Sequence, residues 1–554
     1  MKVRTRSVAA LLIASLAALG IAVWGGSASA HSASAAAAPV SGGTLVYGAD
    51  REPTCLDPHN DGDMPQTYVA RQYLDSLVSE LPDGQVVPWL ATSWKISNGG
   101  RTYTFQIKQG VKFTDGTPLN AQAVVANFTQ ELNPATQDGT DWGYLYPYYV
   151  NSKAIGPYTV QLNLKQSYAP LLDALAQAFF GIESPKAMAR GLKVNCQSPV
   201  GTGPFIVKSW IHGQQINLVR NPNYDSWPAN AKHKGSAYLS GITWRFLEEA
   251  STRYSALTSG EAQIIFNIPP EDQTAAQHDS SLSVQQFVHS GQPNNLTLNA
   301  SQFPFTDINV RKAFIYGADV ANAVKSAFFG AYPAETTDLS TGTPDYDAAL
   351  ASQYNYNPSE ANKLLSASGW TKRNAQGYRV KDGKVLGATV VYSSNTGDTP
   401  PELITLFQDI QAAEKQIGFQ LTLKPIAESA LYAFFGKWDP TGYQIMGDAY
   451  WNSPTPEVLY IVDSPTTPKV PNFNNGQYAT NPTLNKILLE ATATTSTALQ
   501  KKLYDEAQVM SANEAWAAFL YPVTTDLGIS TNLHNVWIEP SEGEPVLSDA
   551  WLSK

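Results

Sequence analysis

Apolar and polar residues change their period repeatedly along this chain, and the changes divide it into strands and helices. Thr44 to Ala49 and Thr102 to Lys108 alternate and read as strands. Phe205 to Trp210 and Gln215 to Val219 alternate on either side of Ile211-His212-Gly213-Gln214, which predicts a hairpin. Just before it stands Gly201-Thr202-Gly203-Pro204, a turn whose glycines can take backbone angles closed to other residues. Short apolar runs at Ile242–Leu247, Ile264–Phe266, Val284–Val288, Leu296–Leu298 and Ala388–Tyr392 predict further strands. Between them lie helical stretches. Asn120 caps one that reaches about Leu132, Ala250–Thr258 ends at Ser259-Gly260, and Asp307 caps a third. Asn357 to Trp370 predicts a helix with Ser359 as its N-cap and Gly369 as its stop. Leu403, Leu406, Ile410, Ala413 and Ile417 recur at helical spacing up to Gly418, after which Phe419, Leu421 and Leu423 alternate. A long helix from about Thr497 to Asn513 precedes Phe519-Leu520-Tyr521-Pro522. Strands alternating with helices imply an α/β sheet architecture.

The first thirty residues follow a different rule. Lys2, Arg4 and Arg6 precede an apolar run from Val8 to Trp24, and Ala28-Ser29-Ala30 offers a cleavage site before His31. This is the three-part pattern of a signal peptide, so residues 1–30 are expected to be removed on export. No cysteine ends the apolar run, so no lipobox is seen, and an extracellular or periplasmic, cell-envelope-associated location is expected. Residues 31–42, rich in Ala and Ser, read as a flexible linker.

Composition narrows the classes. The 554 residues allow two or three domains with real cores. Without the three N-terminal cations the chain keeps 34 Lys and Arg against 47 Asp and Glu. An exported chain this acidic is a poor partner for nucleic acid or for anionic lipid. The two cysteines, Cys55 and Cys196, form an even count in an oxidising compartment, which favours one disulfide over a pair of buried thiols.

The order of its motifs makes the chain resemble the family 5 extracellular solute-binding proteins, the peptide, nickel and opine receptors of ABC importers. The resemblance rests on Gly201-Thr202-Gly203-Pro204-Phe205 with Arg220-Asn221-Pro222-Asn223-Tyr224, and on Leu56-Asp57-Pro58. It rests further on the block from Asp83-Gly84 through Gly110-Val111-Lys112-Phe113 and Asp115-Gly116-Thr117-Pro118, on Ser259-Gly260-Glu261, and on Val310-Arg311-Lys312-Ala313. It implies a two-lobed α/β fold of the type II periplasmic-binding-protein kind, with an extra subdomain in the first lobe. The boundaries expected are 43–290 for the first part of lobe I, with the insertion at about 61–195. Lobe II spans 291–522 and the return to lobe I spans 523–554. Crossings fall near 288–296 and 519–527. A permease with its ATPase is the implied partner, the receptor itself being a monomer.

No catalytic motif stands out. HExxH, G-x-S-x-G, a P-loop and a dinucleotide fingerprint are all missing from the sequence. His31, His59, His212, His233, His278, His289 and His534 stand singly among turns and strands and read as surface or loop residues. Neither a metal nor a cofactor is expected, and no His–carboxylate cluster is expected near the cleft segments. By the resemblance, the cleft draws on the loop that contains Asp63 and Met64 and on the segment from Gln444 to Pro456. In peptide-binding members an aspartate of the latter segment meets the peptide's α-ammonium. Asp448 takes that position if the match runs from the strand, and the neutral Asn452 takes it if the match runs back from Pro456. Tyr450 and Trp451 offer aromatic faces for a ligand or for packing. No arginine follows the Ala388–Tyr392 strand where dipeptide binders hold a carboxylate. A peptide ligand is therefore expected, with an oligosaccharide or other neutral solute as the alternative and a secreted enzyme behind both.

Overall fold

The structure, a computed structural model, describes residues 38–60, 63–133, 140–436, 439–467, 472 and 474–553. The expected signal peptide, most of the linker and Asp61 lie outside them. Pro39–Lys554 forms one compact unit.

Two sheets organise this unit. Strand Thr44–Ala49 lies at the centre of a seven-stranded sheet, parallel to both its neighbours, Gly241–Phe246 and Ile264–Phe266. The sheet runs Leu282–Val288, Thr524–Ser530, Ile264–Phe266, Thr44–Ala49, Gly241–Phe246, Gln215–Arg220, Phe205–Ile211. A five-stranded sheet runs Gln420–Ile426, Gly387–Ser393, Ile445–Asn452, Gly291–Leu298, Ala517–Tyr521. The chain passes from the first sheet to the second at His289-Ser290 and returns at Pro522-Val523. Residues 91–164 add a separate four-stranded antiparallel sheet. Each sheet carries its own apolar core. Leu45, Tyr47, Phe205 and Trp244 are buried at the seven-stranded sheet, and Leu296, Phe314, Leu406 and Ile445 at the five-stranded one. Phe105, Val124, Phe128 and Leu162 fill the third core.

Most of the expected elements fold where their pattern places them, and the departures have local causes. The hairpin Phe205–Ile211/Gln215–Arg220 pairs as expected. Gly201 and Gly203, however, do not take the unusual angles their turn suggested. They are glycine because the chain passes hard against Tyr73: a Cβ on Gly201 would sit 2.0 Å from Tyr73 O, and one on Gly203 2.5 Å from Tyr73 C. Helix Pro358–Ala367 is capped by Asn357 rather than Ser359, the Asn357 side chain accepting from Glu360 N. Pro358 at the first helical position needs no N–H partner and so lets the helix start two residues early. Gly291-Gln292-Pro293, within the stretch expected for the first crossing, already belongs to strand Gly291–Leu298. There Pro293 sits in an irregular stretch of pairing between Gln292 and Asn295, where its missing N–H breaks no ladder bond.

Candidate ligand-binding site

The carboxyl ends of the central parallel strands of both sheets meet at one place, the usual position of a site in open α/β sheets. Thr44–Ala49 runs out into Asp50-Arg51, and Gly387–Ser393 runs out into the 394–399 loop. Arg51 reaches across, donating from Nη1 to Gly397 O at 3.0 Å and lying 3.5 Å from Asp398 Oδ1. Burial pulls the Arg51 guanidinium down, and Asp50, the Tyr450 phenol, Asp63 and Asp398 together more than offset it, so it is held above its ordinary value. Asp398 in turn accepts from the Ser393 hydroxyl at 3.0 Å.

Asp448 lies on the facing strand. Opposite Asn295 and Thr297 stand Ala449 and Met446, so strand Ile445–Asn452 carries one residue more than its partner between these pairs. Such a bulge re-aims a side chain. Asp448 takes up the slack with φ of 62°, in the left-handed region, and its carboxylate accepts from Asn294 Nδ2 at 2.6 Å. Burial pushes its pKa up to about 7; Asn294, Arg51 and Thr399 lower it and Asp398 raises it.

The remaining expected site residues take distinct places. Asp63 is the N-cap of helix Met64–Ala70, closing a reciprocal cap with Gln66, and its charge reaches Arg51 and Tyr450. Met64 lines a small cavity with Tyr47, Ala49, Arg51, Tyr68 and Trp244. Tyr47 and Trp244 stack there with ring centroids 3.6 Å apart, and the buried Tyr47 hydroxyl and Trp244 Nε1 have no hydrogen-bond partner. Tyr450 is 38% exposed, yet protein surrounds it closely enough to push its phenol up to about 12. Trp451 is half-buried and packs beside Val458, Leu459 and Leu488, with Tyr144 tilted against it. Asn452 is drawn in differently: its backbone carbonyl accepts from the Tyr144 hydroxyl at 2.8 Å. Cys55 and Cys196 form a disulfide.

His59 and His289 lie in loops, as expected, but both are buried. His59 also stands with Asp57 and Glu183, a His–carboxylate group just ahead of the cleft loop, where none was expected. Arg51, Asp398 and Asn294 were missed altogether. Arg51 and its partners are more than three hundred residues apart, so no local spacing could have joined them.

Two α/β sheets whose strand ends converge on a charged cleft, joined by two crossings, define a two-lobed binding protein. The chain belongs to the bacterial extracellular solute-binding proteins, family 5, whose middle-region profile matches residues 85–469. It is a substrate-binding protein of an ABC importer, in a family of binding proteins rather than enzymes. The glutathione-binding protein GsiB of Escherichia coli K12 is 28% identical over 507 residues, 88% of this chain and 91% of the relative. Among solved structures, NikA from Brucella suis with Fe(III)-EDTA matches with a TM-score of 0.79 at 23% identity, covering 92% of this chain and 100% of that one. The oligopeptide-binding protein AppA from Bacillus subtilis, in complex with a nonapeptide, matches with a TM-score of 0.78 at 22% identity, covering 93% of this chain and 100% of that one. The fold is therefore the type II periplasmic-binding-protein fold. No helix among the described residues is long and apolar enough to cross a membrane.

Proposed function

We propose that this protein captures peptides with a free amino terminus between its lobes and delivers them to a membrane permease. The observation that carries this reading is Asp448, turned by its strand bulge into a cleft that also holds Asp50, Asp63 and Asp398. Against these acids stands Arg51, already engaged with Gly397 and Asp398. A cleft with surplus negative charge favours a cationic group, and a carboxylate facing an ammonium in a low-dielectric site forms a strong charge-assisted hydrogen bond. The peptide ligand of AppA and the glutathione of GsiB are consistent with that class.

In this reading the lobes comprise residues 43–290 with an insertion at about 61–195, then 291–522, then the return 523–554. The chain is exported and works as a monomer with its permease and ATPase. Arg51 acts as a latch of the closed form, since it joins the strand ends of the two sheets. Ligand bridging both lobes stabilises that form by its differential affinity.

Arg51 Nη1 is already engaged by Gly397 and Asp398, which leaves less of the guanidinium for a ligand carboxylate and favours one second reading, an amine-bearing solute that is not a peptide. Native mass spectrometry of the protein from its own host tests both. Released peptides, lost on Asp448→Ala, support the proposal. A released non-peptide amine moves the assignment to the second reading, and a neutral sugar overturns both.

A further inference from the structure

Beside the disulfide, three buried groups point their lone pairs at one another. Asp57 and His59 lie on the loop after Cys55, and Glu183 precedes helix Pro185–Met188. Asp57 and Glu183 are fully buried and His59 is 7% exposed. One potential ligand atom from each lies within 4.8 Å of the other two.

The neighbours settle how these groups are oriented. His59 Nε2 lies 2.7 Å from Gly181 O and 3.1 Å from Glu131 Oε1, so that nitrogen carries the proton and donates. Nδ1 is then a bare lone pair, 3.5 Å from Asp57 Oδ1 and without a hydrogen bond. Asn195 Nδ2 donates to Asp57 Oδ2 at 2.7 Å and to Glu183 Oε2, while Asp57 Oδ1 accepts the His59 backbone N–H at 3.0 Å and keeps a further lone pair. Glu183 Oε1 is left buried with no partner. Lone pairs that converge in a buried place repel unless something positive lies among them.

We propose that Asp57, His59 through Nδ1, and Glu183 bind one divalent first-row cation, for which Zn²⁺ is the fitting probe. Two ligands about 2.1 Å from a zinc ion at a tetrahedral angle stand roughly 3.4 Å apart, close to the Nδ1–Asp57 separation. One imidazole and two carboxylates suit such an ion better than an all-oxygen set suits calcium. The surroundings are those a ligating histidine needs: its other N–H held by a carbonyl with a carboxylate oxygen 3.1 Å away, and its partner carboxylates held by an amide. The ion would also brace the cleft wall. Gln66 Nε2 donates to Asp57 O at 2.6 Å and Asn60 O at 2.8 Å, tying this loop to the helix that begins at Met64. The site stands apart from the peptide reading and does not depend on it.

The test is metal content. The full chain is purified from cells grown with added zinc, passed through a chelator to strip loose metal, and analysed by plasma mass spectrometry. About one zinc per chain is expected, falling roughly tenfold in Glu183→Gln and in His59→Gln. Protein from cobalt-fed cells should show visible ligand-field bands of a four- or five-coordinate N,O site, a readout on the unaltered chain that stands if a variant fails to fold. Zinc no higher in the wild type than in Glu183→Gln, or cobalt protein without visible absorption, overturns the proposal. So does retention of calcium but not zinc, since calcium would leave His59 Nδ1 unused.

Discussion

Asp448 shows how one residue's setting becomes a measurable property. Burial raises its pKa to about 7, against about 3.9 for an exposed aspartate. A raised carboxyl favours the folded state fully only below the unfolded value, and that contribution is lost as pH rises through 7. At neutral pH the group is thus half protonated in the free protein. Binding an ammonium ligand requires the carboxylate, so binding at pH 7 should release about half a proton, and affinity should rise between pH 6 and 8. Calorimetry in two buffers of different ionisation enthalpy measures this release, and Asp448→Asn should abolish it. His289 carries the opposite sign. Burial drops its pKa to about 3 from an ordinary value near 6.5. It binds its proton more readily when unfolded, so its stability contribution is full above about 6.5 and is lost as pH falls toward 3, at most about 5 kcal/mol. Thermal melts between pH 7 and 4 should fall less steeply in His289→Gln than in the parent.

The elements were legible in the sequence wherever the signal was local. Strand Thr44–Ala49 and helix Ala250–Thr258 have the bounds their apolar periods predict, because each is set by its own side chains. What depended on a partner was not legible. The bulge at Gly447-Asp448 exists only relative to strand Gly291–Leu298, which is why Asp448 and Asn452 could not be told apart by alignment. The same limit hid the reason for Gly201 and Gly203, whose constraint is the Tyr73 backbone rather than a turn angle. It also hid the meeting of His59 with Glu183, across more than a hundred residues. Gly203→Ala places a Cβ among the backbone atoms of Tyr73, which cannot move as a side-chain tip would, and should cost about 1–3 kcal/mol. A thermal midpoint unchanged from wild type would mean that the two segments are not packed this closely.

For the whole molecule, the contacts that cross between the sheets decide which conformation is populated. Arg51 with Gly397 and Asp398 is one, and the Tyr332 hydroxyl donating to Asp526 Oδ2 at 3.3 Å is another. Removing the first by Arg51→Ala should widen the ligand-free molecule, seen as a larger radius of gyration in small-angle X-ray scattering. Ligand should still compact it, with weaker affinity, because the free protein then spends less time in the form that binds. Unchanged scattering would remove Arg51 from the latch. The central claim, an acidic cleft that reads a free amino terminus, is tested most directly by titrating a bound peptide against its N-acetylated counterpart. A charged hydrogen bond lost in a buried site should weaken the acetylated peptide by roughly 10- to 100-fold, and Asp448→Asn should bring the two peptides to similar affinity. Equal binding of both peptides by the wild-type protein would contradict the account.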